Sequence, residues 1–253
     1  MTLPKFRLGK HPKRTDSRTL QLRSYLTAEL PPVPATVTYE QAVKTWPMMA
    51  NDIHSDCTIA AAGHMIEDWT ANTESAPVIL LDPAILAAYD AVNGGVDKGA
   101  DILTVLKYWE NTGIGGHQIT AFSEISTGDL LETQQSVALF AAAYIGLALP
   151  NFAVNPPDGN FLNVPWTIPS SGVRANPPNY NNGHCVPIVG YDAQNLWVVT
   201  WGALKSMSPD FFAAYCDEAY AVLSTDWLKG GVTPLGLNLQ QLQADLAAIH
   251  GNA

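Results

Sequence analysis

Helical spacing of apolar residues is clearest over Cys57–Thr70, where Ile59, Ala62, Met65, Ile66 and Trp69 recur at helical intervals among alanines. Ser55 and Asp56 precede that stretch as capping residues. Asp82-Pro83 predicts the opening of a second helix, with proline at its first position, and Asn93-Gly94-Gly95 its end. A third helix is expected from about Asp101 to Asn111, with Ile102, Val105, Leu106 and Trp109 on one face and Gly113 closing it. A fourth covers Leu130–Ser136. Ahead of these helices, Thr19–Arg23 alternates with period two and predicts a short strand, and Leu30–Pro34 breaks any regular element.

The pattern changes in the second half. Ala142–Leu149 is a short apolar run stopped by Pro150, and reads as a strand. Pro150–Gly183 holds 7 of the 18 prolines and predicts a long loop, ordered by Phe161, Trp166 and Tyr180 as a wall or lid. Val186–Tyr191 and Leu196–Thr200 predict a hairpin around Asp192–Asn195. Ser208-Pro209 caps a short helix to Tyr215, Glu218–Leu223 is a strand, and Asn238 starts a last amphipathic helix. Helices before about residue 130 and antiparallel strands after it define an α+β class with two facing halves and a cleft between them. The boundaries expected are an arm over 1–35, a helical subdomain over 36–135, a β-rich subdomain over 136–232 and a C-terminal helix over 233–253. No internal repeat is visible.

Composition narrows the class. The 253 residues are 47% hydrophobic and 14% charged, which excludes disorder and a coiled coil. No apolar run reaches the ~18 residues of a membrane span, and Met1–Lys5 shows no secretory h-region. Cys57, Cys185 and Cys216 form no even framework, so free thiols in a reducing compartment are expected, cytoplasmic or virion-associated. The net charge of −10 hides an asymmetry: seven of the 13 basic residues lie in Lys5–Arg23 with only Asp16 against them. The expectation is an arm folded back on its own acidic body. Nucleic-acid binding ranks below it, since no helix-turn-helix, zinc finger or stacking platform accompanies the arm.

Motifs for nucleotide, dinucleotide, zincin and α/β-hydrolase sites are absent. What remains is a cysteine at a helix start and a histidine at a strand start. A helix N-terminus favours a thiolate at Cys57 through its partial positive charge and free N–H groups. His184, in Asn181-Asn-Gly-His-Cys-Val-Pro187, enters an apolar strand after a polar turn. The pair has the make-up of a nucleophile and its base. Taken singly, Cys57 reads equally well as a small buried hydrophobe, and His184 as a core histidine. Zinc would accept His54, Cys57, His184 and Cys185, but the spacing lacks a second pair, and Cys185 points to the opposite strand face from His184. Cys216 and His64 read as structural, and Trp201 as a shield for the pair.

Several segments together resemble the papain-like cysteine peptidase superfamily. Asn51 stands six residues before Cys57, where that family more often has a glutamine for the oxyanion hole. Asn93-Gly94-Gly95 with its following helix and Gly113-Ile114, the strand Gly183–Tyr191, and Trp201-Gly202 resemble further family segments. The resemblance spans roughly residues 40–230. It implies a helical left subdomain, a β-rich right subdomain and peptide or isopeptide hydrolysis through a thiol acyl-enzyme. Cys57 is then the nucleophile, His184 the base, and Asn51 with the Cys57 N–H the oxyanion hole. No cofactor or metal is implied, and the partner is a peptide or protein substrate. The family's orienting asparagine falls sixteen residues after the histidine, at Thr200 here; Val199, Asp192 and Asn195 are the other positions considered. An amidase, acyltransferase or ligase on the same residues stays open, as does a catalytically weakened binding protein. An arm this short argues against the family's long inhibitory propeptide.

Overall fold

The computed structural model describes residues 6–24, 26, 32–74, 76–154, 164–227 and 244. In chain order the elements are β1 (Leu20–Gln21), α1 (Cys57–Thr73), α2 (Asp82–Asn93), α3 (Ile102–Asn111), β2 (Ile119–Ile125), α4 (Leu130–Phe140), β3 (Ala143–Ala148), α5 (Asn151–Val154), α6 (Gly172–Ala175), β4 (Gly183–Tyr191), β5 (Leu196–Thr200), β6 (Ala203–Met207), α7 (Pro209–Tyr215) and β7 (Cys216–Ser224). The seven strands form one sheet in the order β1-β2-β7-β3-β4-β5-β6. All neighbours are antiparallel except β1 and β2. The class is α+β. The expected C-terminal helix lies outside the described residues, apart from the single helical residue 244.

Period-two alternation divides the core between the two faces of the sheet. Ile145, Leu147, Val186, Ile188 and Val198 face a cluster that includes Trp166, Phe211 and Phe212. Tyr144, Cys185, Val189 and Val199 face α1, with Ile59, Ala62, Met65, Ile66 and Trp69. α1 is buried on almost every side rather than along one stripe, as expected for a helix at the centre of a domain. Its small residues permit this: a Cβ on Gly63 would lie 2.5 Å from Met49 Sδ and 2.9 Å from Ile85 Cδ1.

Differences from the sequence reading have tertiary causes. α4 continues four residues past Ser136, because its last carbonyls find partners in other elements: Trp69 Nε1 donates to Phe140 O and Trp227 Nε1 to Leu139 O, each at 2.8 Å. β2 interrupts the helical half and pairs with β7, so the first half contributes a strand to the common sheet. β6 completes a hairpin with β5. Asp56 occupies the cap position of α1 but makes no side-chain cap bond, since its Oδ1 accepts from Asn51 Nδ2 at 2.9 Å. The long segment 150–183 carries α5 and α6, and Trp166 within it stacks on Phe211 at 5.6 Å; Phe161 lies outside the described residues. Among the described residues no helix is long and apolar enough to cross a membrane.

The arm lies against the acidic body. Lys13 pairs with Glu124, Arg14 with Asp101 at 3.5 Å, and Lys107 of α3 reaches back to Asp16 at 2.7 Å. Lys10 pairs with Asp217 and Glu218, each at 2.9 Å.

Candidate active site

Cys57 is the first residue of α1 and His184 the second of β4, which packs against the helix. The Cys57 thiol lies against the backbones of Cys185, one residue beyond the histidine, and of Gly9 in the arm. The His184 ring is 1% exposed, and its Nε2 lies 2.7 Å from Thr200 Oγ1. Among the described residues its Nδ1 has no hydrogen-bond partner, the Cys57 thiol included. Trp201 stacks on the imidazole, with centroids 4.1 Å apart and planes 9° from parallel.

The Trp201 position follows from the hairpin. Thr200 and Ala203 close the β5–β6 ladder, leaving Trp201 and Gly202 as a two-residue turn with φ of 46° and 71°. Two positive φ values match the right-handed strand twist. An indole at such a position is strained, and it is held by the stack on His184 and by Trp201 Nε1 donating to Arg7 O at 3.0 Å. The hairpin therefore delivers both the hydroxyl at the edge of the ring and the plate over its face.

The other expected positions are placed as follows. Asn51 is buried, and its Nδ2 donates to His54 O at 3.2 Å and to Asp56 Oδ1 at 2.9 Å. Both amide hydrogens are thereby engaged. Asp192 and Asn195 bond one another in the β4–β5 turn, Asn195 N donating to Asp192 Oδ1 at 2.9 Å. Val199 is buried on the α1 side of the sheet. His54 faces Asp97 at 3.6 Å, and His64 meets Pro47 O at 2.8 Å.

The arm, expected to fold back on the acidic body, also covers the thiol. Arg7 N donates to Asn51 O, Gly9 N and Lys10 N both donate to Gly183 O, His11 N donates to Ala100 O, and Ala100 N donates to Gly9 O, all between 2.9 and 3.2 Å. Lys10 and Ala100 form a parallel bridge. Residues 7–11 are thus held between the loop before α3 on one wall and the start of β4 on the other. Glycine at each close approach makes this possible. A Cβ on Gly9 would lie 1.9 Å from Ser55 O, on Gly99 2.0 Å from Gly9 O, and on Gly183 2.1 Å from Lys10 O.

Burial dominates the electrostatics. It pushes the Cys57 thiol up to about 12, with Asp56 adding to the shift and the Gly9 and Cys185 backbones and Lys10 opposing it. Burial pushes the His184 imidazole down to about 3. Burial thus opposes the thiolate expected at the helix start. Desolvation outweighs the helix terminus and favours the neutral form of each group. Water entering on departure of the arm would relieve both shifts, lowering the one and raising the other.

Sequence reasoning missed the arm's place in the site and the acidic residues beneath it, Asp217 and Glu218. That the basic cluster would fold back on the acidic body was legible; where Lys10 would go was not, because its partners Asp217 and Glu218 lie about two hundred residues away.

No protein-family profile matches the chain, and no curated protein matches it by sequence. Solved structures do match. Xylellain, a cysteine protease from Xylella fastidiosa, superposes with a TM-score of 0.66 at 16% identity, covering 89% of this chain and 98% of its own. Digestive procathepsin L 3 from Tenebrio molitor larval midgut gives 0.59 at 10% identity, covering 87% and 77%. The Carica candamarcensis cysteine protease CMS1MS2, in complex with E-64, gives 0.54 at 14% identity, covering 76% and 99%. The fold is that of the papain-like cysteine proteases.

Proposed function

We propose that the chain is a thiol-dependent peptidase, hydrolysing peptide or isopeptide bonds through an acyl-enzyme at Cys57. The observation that carries this reading is the His184 ring: one nitrogen held by Thr200, the other without a partner among the described residues, in a strand whose next residue lies against the Cys57 thiol. A ring fixed at Nε2 presents Nδ1 as the base, and a nucleophile needs a base so oriented. His184 would take the thiol proton and return it to the leaving amine. The Cys57 N–H at the helix start would receive the developing oxyanion. Asn51 joins it only after releasing His54 O or Asp56. Thr200 orients the ring, and Trp201 excludes water from one face. With the arm in place there is no room for substrate at the thiol, so the arm must move for turnover.

The test is hydrolysis of a fluorogenic peptide mixture by the full chain and by Cys57→Ala and His184→Ala. Cleavage by the full chain that both substitutions abolish supports the proposal. Cleavage that survives Cys57→Ala overturns it. An added amine acceptor, with products identified by mass, separates hydrolysis from acyl transfer. The engaged Asn51 amide favours one second reading, a catalytically weakened binding protein, which predicts tight peptide binding with no turnover.

A further inference from the structure

The side chain of Lys10 leaves the arm and enters the body. It is 1% exposed; its Nζ lies 2.9 Å from Asp217 Oδ2, 2.9 Å from Glu218 Oε1 and 3.0 Å from His11 O. The space it fills is built into the sheet. Gly146 of β3 leaves a channel where a Cβ would lie 2.1 Å from Lys10 Cε and 2.7 Å from Glu218 Cγ. Gly183 opens the mouth, beside the thiol-covering backbone of the arm. Glu218, wholly buried, is braced by Tyr220 Oη donating to its Oε2 at 3.3 Å. Asp217 stands nearer the surface, 14% exposed.

Two carboxylates at such a site are costly without a cation. Among the described residues, the ion pairs of Asp217 and Glu218 give them one cation, Lys10. It belongs to a segment that must leave if the site is to work. We propose that this pocket selects the substrate: when the arm is displaced it takes a lysine or arginine side chain of the peptide, with Glu218 and Asp217 as specificity-determining residues. This rests on the peptidase reading, and names the substrate class as basic peptides. Lys10 shows the fit, since a four-carbon stem spans Gly146 and delivers an ammonium to both carboxylates. The charge balance of the chain agrees, because the body outside the arm is strongly acidic and draws cationic peptides toward it.

The test separates the pocket from the chemistry. Binding is measured by fluorescence anisotropy on the full chain carrying Cys57→Ala and Lys10→Ala, with labelled hexapeptides that differ only in lysine against norleucine at one position. The lysine peptide should bind at least ~30-fold more tightly, the scale of a charge-assisted buried contact. Adding Glu218→Gln should reduce that ratio at least ~10-fold. Lys10→Gln serves in place of Lys10→Ala should the latter not fold. Equal binding of the two peptides, or a preference untouched by Glu218→Gln, overturns the pocket. Hydrolysis by the chain with Cys57 and Lys10 intact is scored separately on the same pair. Lysine-selective binding with no hydrolysis keeps the pocket and removes the peptidase reading. Hydrolysis without charge preference does the reverse.

Discussion

Gly9→Ala should uncover the site. A Cβ at Gly9 would lie 1.9 Å from Ser55 O, where ordinary contact begins at 3.4 Å. Both partners are backbone, so neither can swing aside, and the arm must retreat by roughly 1.5 Å or more, the difference of those two distances. Three bonds depend on the present placement: Gly9 N to Gly183 O at 3.2 Å, Lys10 N to Gly183 O at 3.1 Å, and Ala100 N to Gly9 O at 2.9 Å. At about 1 kcal/mol each, their loss shifts the closed-to-open balance by ~3 kcal/mol, or about 100-fold. Iodoacetamide labelling at pH ~7, read by peptide mass mapping, follows the open fraction. Cys57 should label about 100-fold faster in Gly9→Ala than in the unsubstituted chain. Cys185 and Cys216, buried in β4 and β7, serve as internal controls and should not accelerate. Labelling of Cys57 at the unsubstituted rate would refute the covering role of the arm. An equal rise at all three thiols would show general unfolding instead.

Three further outcomes are expected. Thr200→Val keeps the shape and deletes the hydroxyl 2.7 Å from His184 Nε2; kcat should fall by roughly tenfold or more with KM little changed, whereas Thr200→Asn should retain activity. Gly202→Val places a side chain at φ 71°, with its Cβ 3.3 Å from Met48 N and Trp46 O; the urea midpoint should drop by an amount equivalent to about 1–3 kcal/mol, and peptide turnover should fall with it as Trp201 loses its seat. Burial pushes Glu67 up to about 7, so its folded pKa lies above the unfolded one. Its contribution is full below pH ~4 and declines as pH rises toward 7. Glu67→Gln removes that decline, and its stability relative to the unsubstituted chain should improve by on the order of 2–3 kcal/mol between pH 4 and pH 7, read from urea unfolding at each pH. A difference independent of pH would contradict the buried-acid account.

The helices of the first half were legible because each carries its own punctuation: Asp101 caps Thr104 N at 2.9 Å, and Gly94 ends α2 in the left-handed region at φ 75°. β2 was not legible, since Ile119–Ile125 becomes a strand through pairing with β7, a hundred residues later. The end of α4 was hidden for the same reason, being set by two distant indoles. In the site, the sixteen-residue spacing brought Thr200 to the His184 ring because a two-residue turn follows it and the strands between run in register apart from one bulge. Burial beneath the arm opposes the thiolate that a helix start favours at Cys57. A helix start says what a thiol would do in water, while the arm above it decides whether water is there. The pocket for Lys10 is made of absences, Gly146 and Gly183, and no local pattern announces that two glycines on neighbouring strands line one channel.

Attack of Cys57 on an acyl group with His184 as its base is tested most directly by a trapped intermediate. An activated ester of a lysine-containing peptide, turned over by the Gly9→Ala chain and quenched in acid within milliseconds to seconds, should leave its acyl group on the protein. Peptide mapping should place the added mass on Cys57 alone, with none in Cys57→Ala and much slower accumulation in His184→Ala. Ester consumption with no adduct on Cys57, or an adduct formed equally fast without His184, would contradict the account.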